Sequence, residues 1–340
     1  MTEVVIADVG HGNCVLVISD NQVLLIDAGS GGTVVELLES YGLTRIERVL
    51  LSHGDEDHIG GLLTLLMNTT VRVLLVYLNA DASKDSDVWH ALRLAVSDAR
   101  GRGTDVQLGL TSTTDIGWGA QELAVEILAP TPELAMAGPG GEDIAGRPIS
   151  SNAMSVVIRL IHRGIPLVLL PGDIDLVGLD NLLRVVPSPR ARLLVFPHHG
   201  GVPAGGEPAR FAQRLTDAVR PRAVVFSLGR GRYGTPRPEI VAGLRASAPD
   251  VYIVCTQLSE RCAAELPAEE PTHLQDKPAQ GRRRKACCGG TLVLALDEDT
   301  VLARVVRDVH SRFVDANAPS ALCRTRPVQP MLWIESRVEG

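Results

Sequence analysis

Residues 50–59, LLSHGDEDHI, take the chain from an apolar strand to four metal-capable side chains, His53, Asp55, Asp57 and His58, packed into six residues. Carboxylates and imidazoles crowded into one tight turn cannot satisfy each other, so they need a cation or solvent. The alternative reading is a solvated acidic turn in which Asp55 or Asp57 caps a helix. On the N-terminal side, the apolar run of RVLLSH predicts a strand buried on both faces. On the other side, Ile59, Leu62, Leu63 and Leu66 recur at helical spacing.

Working outward, three short strands open the chain, VVIADVG, NCVLVIS and QVLLIDAG, with a turn at Asp20 and Asn21 and a glycine-bearing strand-end turn at Gly10 and Gly12. After this meander, helices at about 34–41, 59–66 and 88–99 alternate with the strands RVLLSH, VRVLLVYL and DVQLGL, and the first half closes near LAVEILAP. Residues 130–150 are rich in Pro and Gly and predict a surface loop. The strands MSVVIRLI and IPLVLLPGD then begin a second half, followed by helices at about 176–185, 208–219 and 239–246 between RLLVFPHHG, AVVFSLG and VYIVC. The second half repeats the outline of the first. The expected fold is therefore α/β (α+β), with two mixed sheets packed face to face and helices outside both. One domain is expected over 1–307, with an insertion at about 256–289, a closing hairpin in TLVLALDEDTVLARVV turning at Glu298 and Asp299, and a patternless tail over 308–340.

Composition narrows the function. With 340 residues, 45% hydrophobic and 21% charged, the chain can bury a sizeable core, which excludes disorder as its main state. No apolar run reaches the ~18–20 residues that span a bilayer. The N-terminus carries Glu3 and Asp8 instead of a basic leader, so the expectation is a cytoplasmic protein with no membrane partner. A net charge of −7 argues against coating by a polyanion, yet eleven arginines between Arg184 and Arg245 face only Glu207, Asp217 and Glu239. Arg190, Arg192, Arg230, Arg232 and Arg237 lie near strand ends and are candidate phosphate contacts. Arginine is also this chain's default cation, since it has just three lysines. The run Arg282 to Lys285 reads as a solvated loop or a second nucleic-acid contact. Within the insertion, Cys255, Cys262, His273 and Cys287 or Cys288 could form a tetrahedral zinc site, with free buried thiols as the alternative because the spacing is irregular.

Six segments in order, VVIADVGHGNCVLVI, LLIDAG, LLSHGDEDHIGGL, SNAMSVVIRL, PLVLLPGDID and LLVFPHHGG, resemble the soluble hydrolase domain of ComEC-type DNA-uptake proteins within the metallo-β-lactamase superfamily, over about residues 3–255. The resemblance implies a four-layered αββα sandwich with two divalent ions, Zn2+ or Mn2+, at the strand ends. It implies His53 and Asp55 on one ion, Asp57 and His58 on the other, Asp173 bridging and His199 as the last ligand. His198 is then an outer hydrogen-bonding group or proton donor, Asp57 and His198 are the residues expected to act in catalysis, and Asp27 is a buried acid orienting the turn. Two positions depart from pattern, the first from complete dinuclear sites in a way that ComEC-type sequences share, the second from the ComEC-type sequences themselves. Ser150, Ser151 and Asn152 stand where complete dinuclear sites carry a histidine, and Thr235 stands where ComEC-type relatives usually read Gly-His-Pro. The implied activity is hydrolysis of a phosphodiester, with a nuclease foremost. The alternatives are a metal-binding but catalytically weak regulatory protein and a hydrolase of small esters or lactones.

Overall fold

The computed structural model describes residues 2–324 apart from 69, 121, 295, 297–303 and 319. In chain order the strands and helices are β1 (Glu3–Ile6), β2 (Cys14–Ser19), β3 (Gln22–Ala28), α1 (Thr33–Ser40), β4 (Arg45–Ile46), β5 (Arg48–Leu50), α2 (Glu56–Met67), β6 (Arg72–Val73), β7 (Leu75–Leu78), α3 (Asp87–Gly101) and β8 (Asp105–Leu108). They continue with β9 (Gly119–Ala120), β10 (Leu123–Ala129), α4 (Pro132–Ala137), β11 (Val157–His162), β12 (Ile165–Leu170), α5 (Leu176–Val185), β13 (Leu193–Val195), α6 (Pro208–Val219) and β14 (Ala223–Phe226). The last are α7 (Pro238–Ser247), β15 (Tyr252–Cys255), β16 (Leu292–Leu294) and α8 (Arg304–Asn317).

The strands form two seven-stranded sheets, β16-β1-β2-β3-β5-β7-β8 and β15-β14-β13-β12-β11-β10-β9, and β4 pairs with β6 beside them. Each sheet is antiparallel at its meander and parallel where helices intervene, from β3 to β8 and from β12 to β15. Alternation along the strands sorts residues between layers. Val4, Ile6, Val15 and Leu24 face the second sheet and meet Ile158, Val168, Leu193 and Val225 in a shared apolar layer. Their neighbours Val5, Leu16 and Leu25 turn outward onto Leu37, Leu62 and Leu92 of the helices α1 to α3. Leu169, Leu194 and Val224 do the same against Leu182, Phe211 and Leu244 on the other outer face. The result is the αββα order of layers.

Three features differ from the sequence reading. The segment 130–150 contains α4, and Leu134 and Ile149 are buried with Met154 in a small apolar cluster, so it is packed and not a bare surface loop. The strand β10, read as the end of the first half, pairs with β11 in the second sheet, and its Leu123 and Ile127 join the apolar layer between the sheets. Residues 304–317 are helical, so the second arm of the expected hairpin is replaced at its end by α8, which crosses the boundary expected at 307/308. The turn at Glu298 and Asp299 lies outside the described residues. No helix among the described residues is long and apolar enough to cross a membrane.

The helices α6 and α7 are pressed together at Gly243, where an added Cβ would lie 2.1 Å from the Ala209 carbonyl oxygen. Gly243→Ala is therefore expected to destabilise the fold by about 1–3 kcal/mol, the usual cost of overpacking. Urea unfolding followed by circular dichroism would show a lower midpoint with an unchanged slope.

Candidate metal centre

The site is built on Asp27, the penultimate residue of β3, which adopts a left-handed backbone conformation with φ 55°. Its buried carboxylate accepts hydrogen bonds from the Ser52 backbone N–H and the Ser52 hydroxyl, each 2.7 Å long. It also lies 2.7 Å from His58 Nδ1. These contacts lock the end of β5 to the first turn of α2, where Asp55 is the N-cap residue and Asp57 and His58 are helical. An Nδ1–H donated to Asp27 leaves the Nε2 lone pair of His58 free and fixes the ring's orientation.

The second sheet supplies the rest. Asp173 follows β12, and its carboxylate accepts the His198 backbone N–H at 2.9 Å. Residues Pro197–Gly200 after β13 form a tight turn in which His198 and His199 both have left-handed φ, 53° and 55°. Non-glycine residues adopt this conformation at a cost that surrounding structure must offset, and such positions cluster at functional sites. His199 donates Nδ1–H to the Ser227 carbonyl at 2.7 Å, so its Nε2 also presents a lone pair.

Asp57, His58, Asp173 and His199 bring one ligand atom each to within 4.8 Å of all the others, and theirs is the one such group of His, Cys, Asp and Glu among the described residues. Nε2 of His58 is 3.4 Å from Asp173, and Nε2 of His199 is 3.0 Å from Asp57 and 3.6 Å from Asp173. Both nitrogens are buried without a hydrogen-bond partner, as are Nε2 of His53 and His198. A ring nitrogen facing a carboxylate at these distances needs a proton or a metal ion between the two, because a bare lone pair there is repelled. Ligand atoms on one tetrahedral zinc ion, at bond lengths of about 2.0–2.2 Å, are separated by about 3.3–3.6 Å. The residues present therefore fit a divalent metal ion.

The electrostatics agree. Burial pushes the Asp173 carboxyl up, but His199, His58 and His198 outweigh it and hold the group well below the usual carboxylate range. Burial opposes charging of His58, yet Asp27 and Asp173 on its two sides raise its pKa well above 6.5. Asp57 is held low, against its burial, by His199 and His58. Burial and the neighbouring His58 lower His53 to about 4.

The remaining sequence candidates divide. His53 Nε2 is 3.6 Å from Asp55 Oδ2, beside the group of four, and Asp55 forms an ion pair with Lys84, a residue the motif reading did not single out. His198, Asn152 and Thr235 line an open pocket of about 300 Å³ with Asp55, Asp57, Asp173 and His199. Arg230 is not a phosphate contact, because its guanidinium donates to the carbonyls of Leu258, Ala263 and Ala264 and so fastens the insertion. Arg237 sits at the N-terminus of α7 with Nε buried and unpartnered. Arg232 is exposed and stands 5.4 Å from the ring of Tyr233, a pocket residue. Arg190 is exposed, and its Nε donates to the Ser188 hydroxyl. In the basic run, Arg282 pairs with Glu270, Arg283 with Glu36, and Lys285 donates to the Ala268 carbonyl, all within the protein.

The expected zinc quartet does not converge. Cys255 and Cys262 pack into the apolar layer beneath α6 and α7, His273 Nε2 is 2.6 Å from the Cys288 carbonyl, and Cys287 Sγ is directed at Asp8 Oδ2, 3.6 Å away. Burial pushes the Cys255, Cys262, Cys287 and Cys288 thiols up, so they stay protonated. What holds the insertion is Asp8, whose carboxylate accepts from the backbone N–H of Gly281 and Gly10 and from Gln257 Nε2 at 2.8–3.0 Å. The motif reading also passed over His11. Read as part of a glycine turn, it lines the pocket with Nε2 3.4 Å from Asp57 Oδ2. A lone His between two glycines at a strand end was the signal available.

Residues 7–146 match the family described as the metallo-beta-lactamase superfamily. The chain is 24% identical over 265 residues to ComE operon protein 3 of Bacillus subtilis (strain 168), covering 70% of this chain and 30% of that protein. It is 27% identical over 231 residues to Recombination protein 2 of Haemophilus influenzae, covering 66% of this chain and 24% of the relative. The matched part thus spans less than a third of the length of either curated relative. Among solved structures, the metallo hydrolase Igni18 of Ignicoccus hospitalis aligns with 74% of this chain and 94% of its own at 17% identity and a TM-score of 0.43. With residues 7–146 matching that family and two face-to-face sheets covered by helices, the chain has a metallo-β-lactamase fold and resembles ComEC-type DNA-uptake proteins.

Proposed function

We propose that the chain is a metal-dependent phosphodiesterase acting on nucleic acid in the cytoplasm. The observation that carries this reading is the pairing of Asp57 and Asp173 with unpartnered Nε2 atoms of His58 and His199 in a pocket open to solvent. Asp57, His58, Asp173 and His199 would hold a divalent ion there, which would supply a water of lowered pKa and offset charge developing on phosphoryl oxygens. Zn2+ and Mn2+ both suit a donor set that mixes imidazole with carboxylate.

The chain's own groups do the rest. Asp27 and the Ser227 carbonyl fix the two imidazoles in the tautomer that offers Nε2 to the ion. His198 lies on the pocket wall, with Nδ1 3.6 Å from Asp173 and Nε2 unpartnered, and its burial favours the neutral ring. Its Nε2 can take and return a proton as the ester breaks. A second ion would use His53 Nε2 and Asp55, with Asp55 exchanging Lys84 for the metal. Arg232, exposed beside Tyr233, is the phosphate contact retained from the sequence. The Asp55–Lys84 ion pair also favours a second reading, a metal-binding protein with little turnover.

Purified protein should retain a divalent ion and cleave a generic phosphodiester and plasmid DNA in a reaction stopped by EDTA and restored by Zn2+ or Mn2+. Asp173→Asn keeps the side chain's shape but removes its charge. Activity should fall by at least the roughly 10–100-fold that loss of an outer partner of a metal ligand costs, with the circular-dichroism spectrum unchanged. EDTA-resistant cleavage, or full activity in folded Asp173→Asn, would overturn the reading. Metal binding without turnover selects the second one.

A pH dependence follows from His58. Its raised pKa means that the charged ring stabilises the metal-free protein fully below 6.5, and that this contribution is lost as pH rises through the raised value. An ion must displace the same proton, so metal affinity should rise with pH over that window. Thermal melts between about pH 5 and 9 should therefore show stabilisation by added metal growing with pH. A metal-induced shift that shrinks with pH would contradict the assignment of His58.

A further inference from the structure

His11 takes no part in the function above. It lies on the loop between β1 and β2, with its side chain 8% exposed. Its Nδ1 is buried without a partner, and its ring centroid is 4.2 Å from that of His199. The backbone beneath it is fastened to both halves of the centre. The Asn13 N–H donates to the Asp57 carbonyl at 3.2 Å, and the Ser227 hydroxyl donates to the Gly12 carbonyl at 2.6 Å. Ser227 is the residue whose carbonyl holds His199. Gly12 is required by this closeness, since a Cβ there would lie 2.2 Å from the Asp57 carbonyl oxygen.

The separation of 3.4 Å between His11 Nε2 and Asp57 Oδ2 equals that between His58 Nε2 and Asp173 Oδ1. It is long for a charge-assisted hydrogen bond, which prefers about 2.7–2.9 Å. It matches the spacing of two ligand atoms on one ion, about 3.3–3.6 Å at bond lengths of about 2.0–2.2 Å.

We propose that His11 is a further imidazole of the metal centre, contributing its Nε2 on the side of Asp57 and His199. The inference rests on the centre binding a divalent ion and is independent of the substrate.

The test uses the full chain and Co2+ as the probe, with affinity from competition titration and ligand identity from the visible absorption bands. Wild type should bind Co2+. His11→Gln keeps a hydrogen-bonding side chain of similar reach but removes the imidazole, and it should weaken binding by at least the roughly 10–100-fold that loss of an outer partner of a ligand costs and shift the visible bands. His11→Ala should do the same, and if it fails to fold, His11→Gln decides. Unchanged affinity and bands in folded His11→Gln would overturn the proposal, and a loss in His11→Ala that Gln restores would reduce His11 to a brace for Asp57. Failure of wild type to bind any ion would instead remove the metal-dependent reading itself.

Discussion

The carboxylate of Asp27 is the point from which the centre is built. Buried at the end of a central strand, it receives the Ser52 backbone N–H, the Ser52 hydroxyl and the His58 ring within 2.7 Å each. A buried carboxylate left without such donors would cost several kcal/mol. The contacts that satisfy it are also the ones that turn β5 into α2 and aim Nε2 of His58 at Asp173. Structural and functional demands thus meet in one side chain. The left-handed backbone of Asp27 is accepted because three hydrogen bonds define where the carboxylate must be.

A second buried carboxylate organises the other edge. Asp8 follows β1 and gathers Gly10, Gln257 and Gly281, while its backbone carbonyl accepts from Gln280. It ties the insertion over 256–289 to the first sheet and also fixes the turn that carries His11. Burial raises the Asp8 pKa in spite of these donors. The polar insertion is therefore ordered by hydrogen bonds to one acid and by the arginines that close on its carbonyls, with protonated thiols packed as small apolar groups.

The centre lies where two similar halves meet. Asp57 and His58 come from the first sheet's side, Asp173 and His199 from the second, and the apolar layer between the sheets sets their separation. Neither half presents a complete donor set alone. Two consecutive left-handed histidines after β13 are the strained element, and they persist because Asp173, Ser227 and the sheet beneath hold the turn from several directions.

The layers and the ligand-bearing turns are legible in the chain's residues alone, since they depend on local periodicity and short spacing. The helices α5 and α6 fall on the residues that their apolar pattern marks, and the His53 to His58 turn sits at a strand end because a buried apolar run must stop where charge begins. Which distant groups meet is set by folding. That β10 joins the second sheet, that Lys84 answers Asp55, that Arg230 closes on the insertion and that His11 stands over Asp57 all depend on contacts between residues 28 to 46 positions apart. No local pattern encodes such pairs. A glycine-flanked histidine or a lone lysine looks the same in any sequence, and its chemistry is set by the partner that folding brings to within a few ångströms.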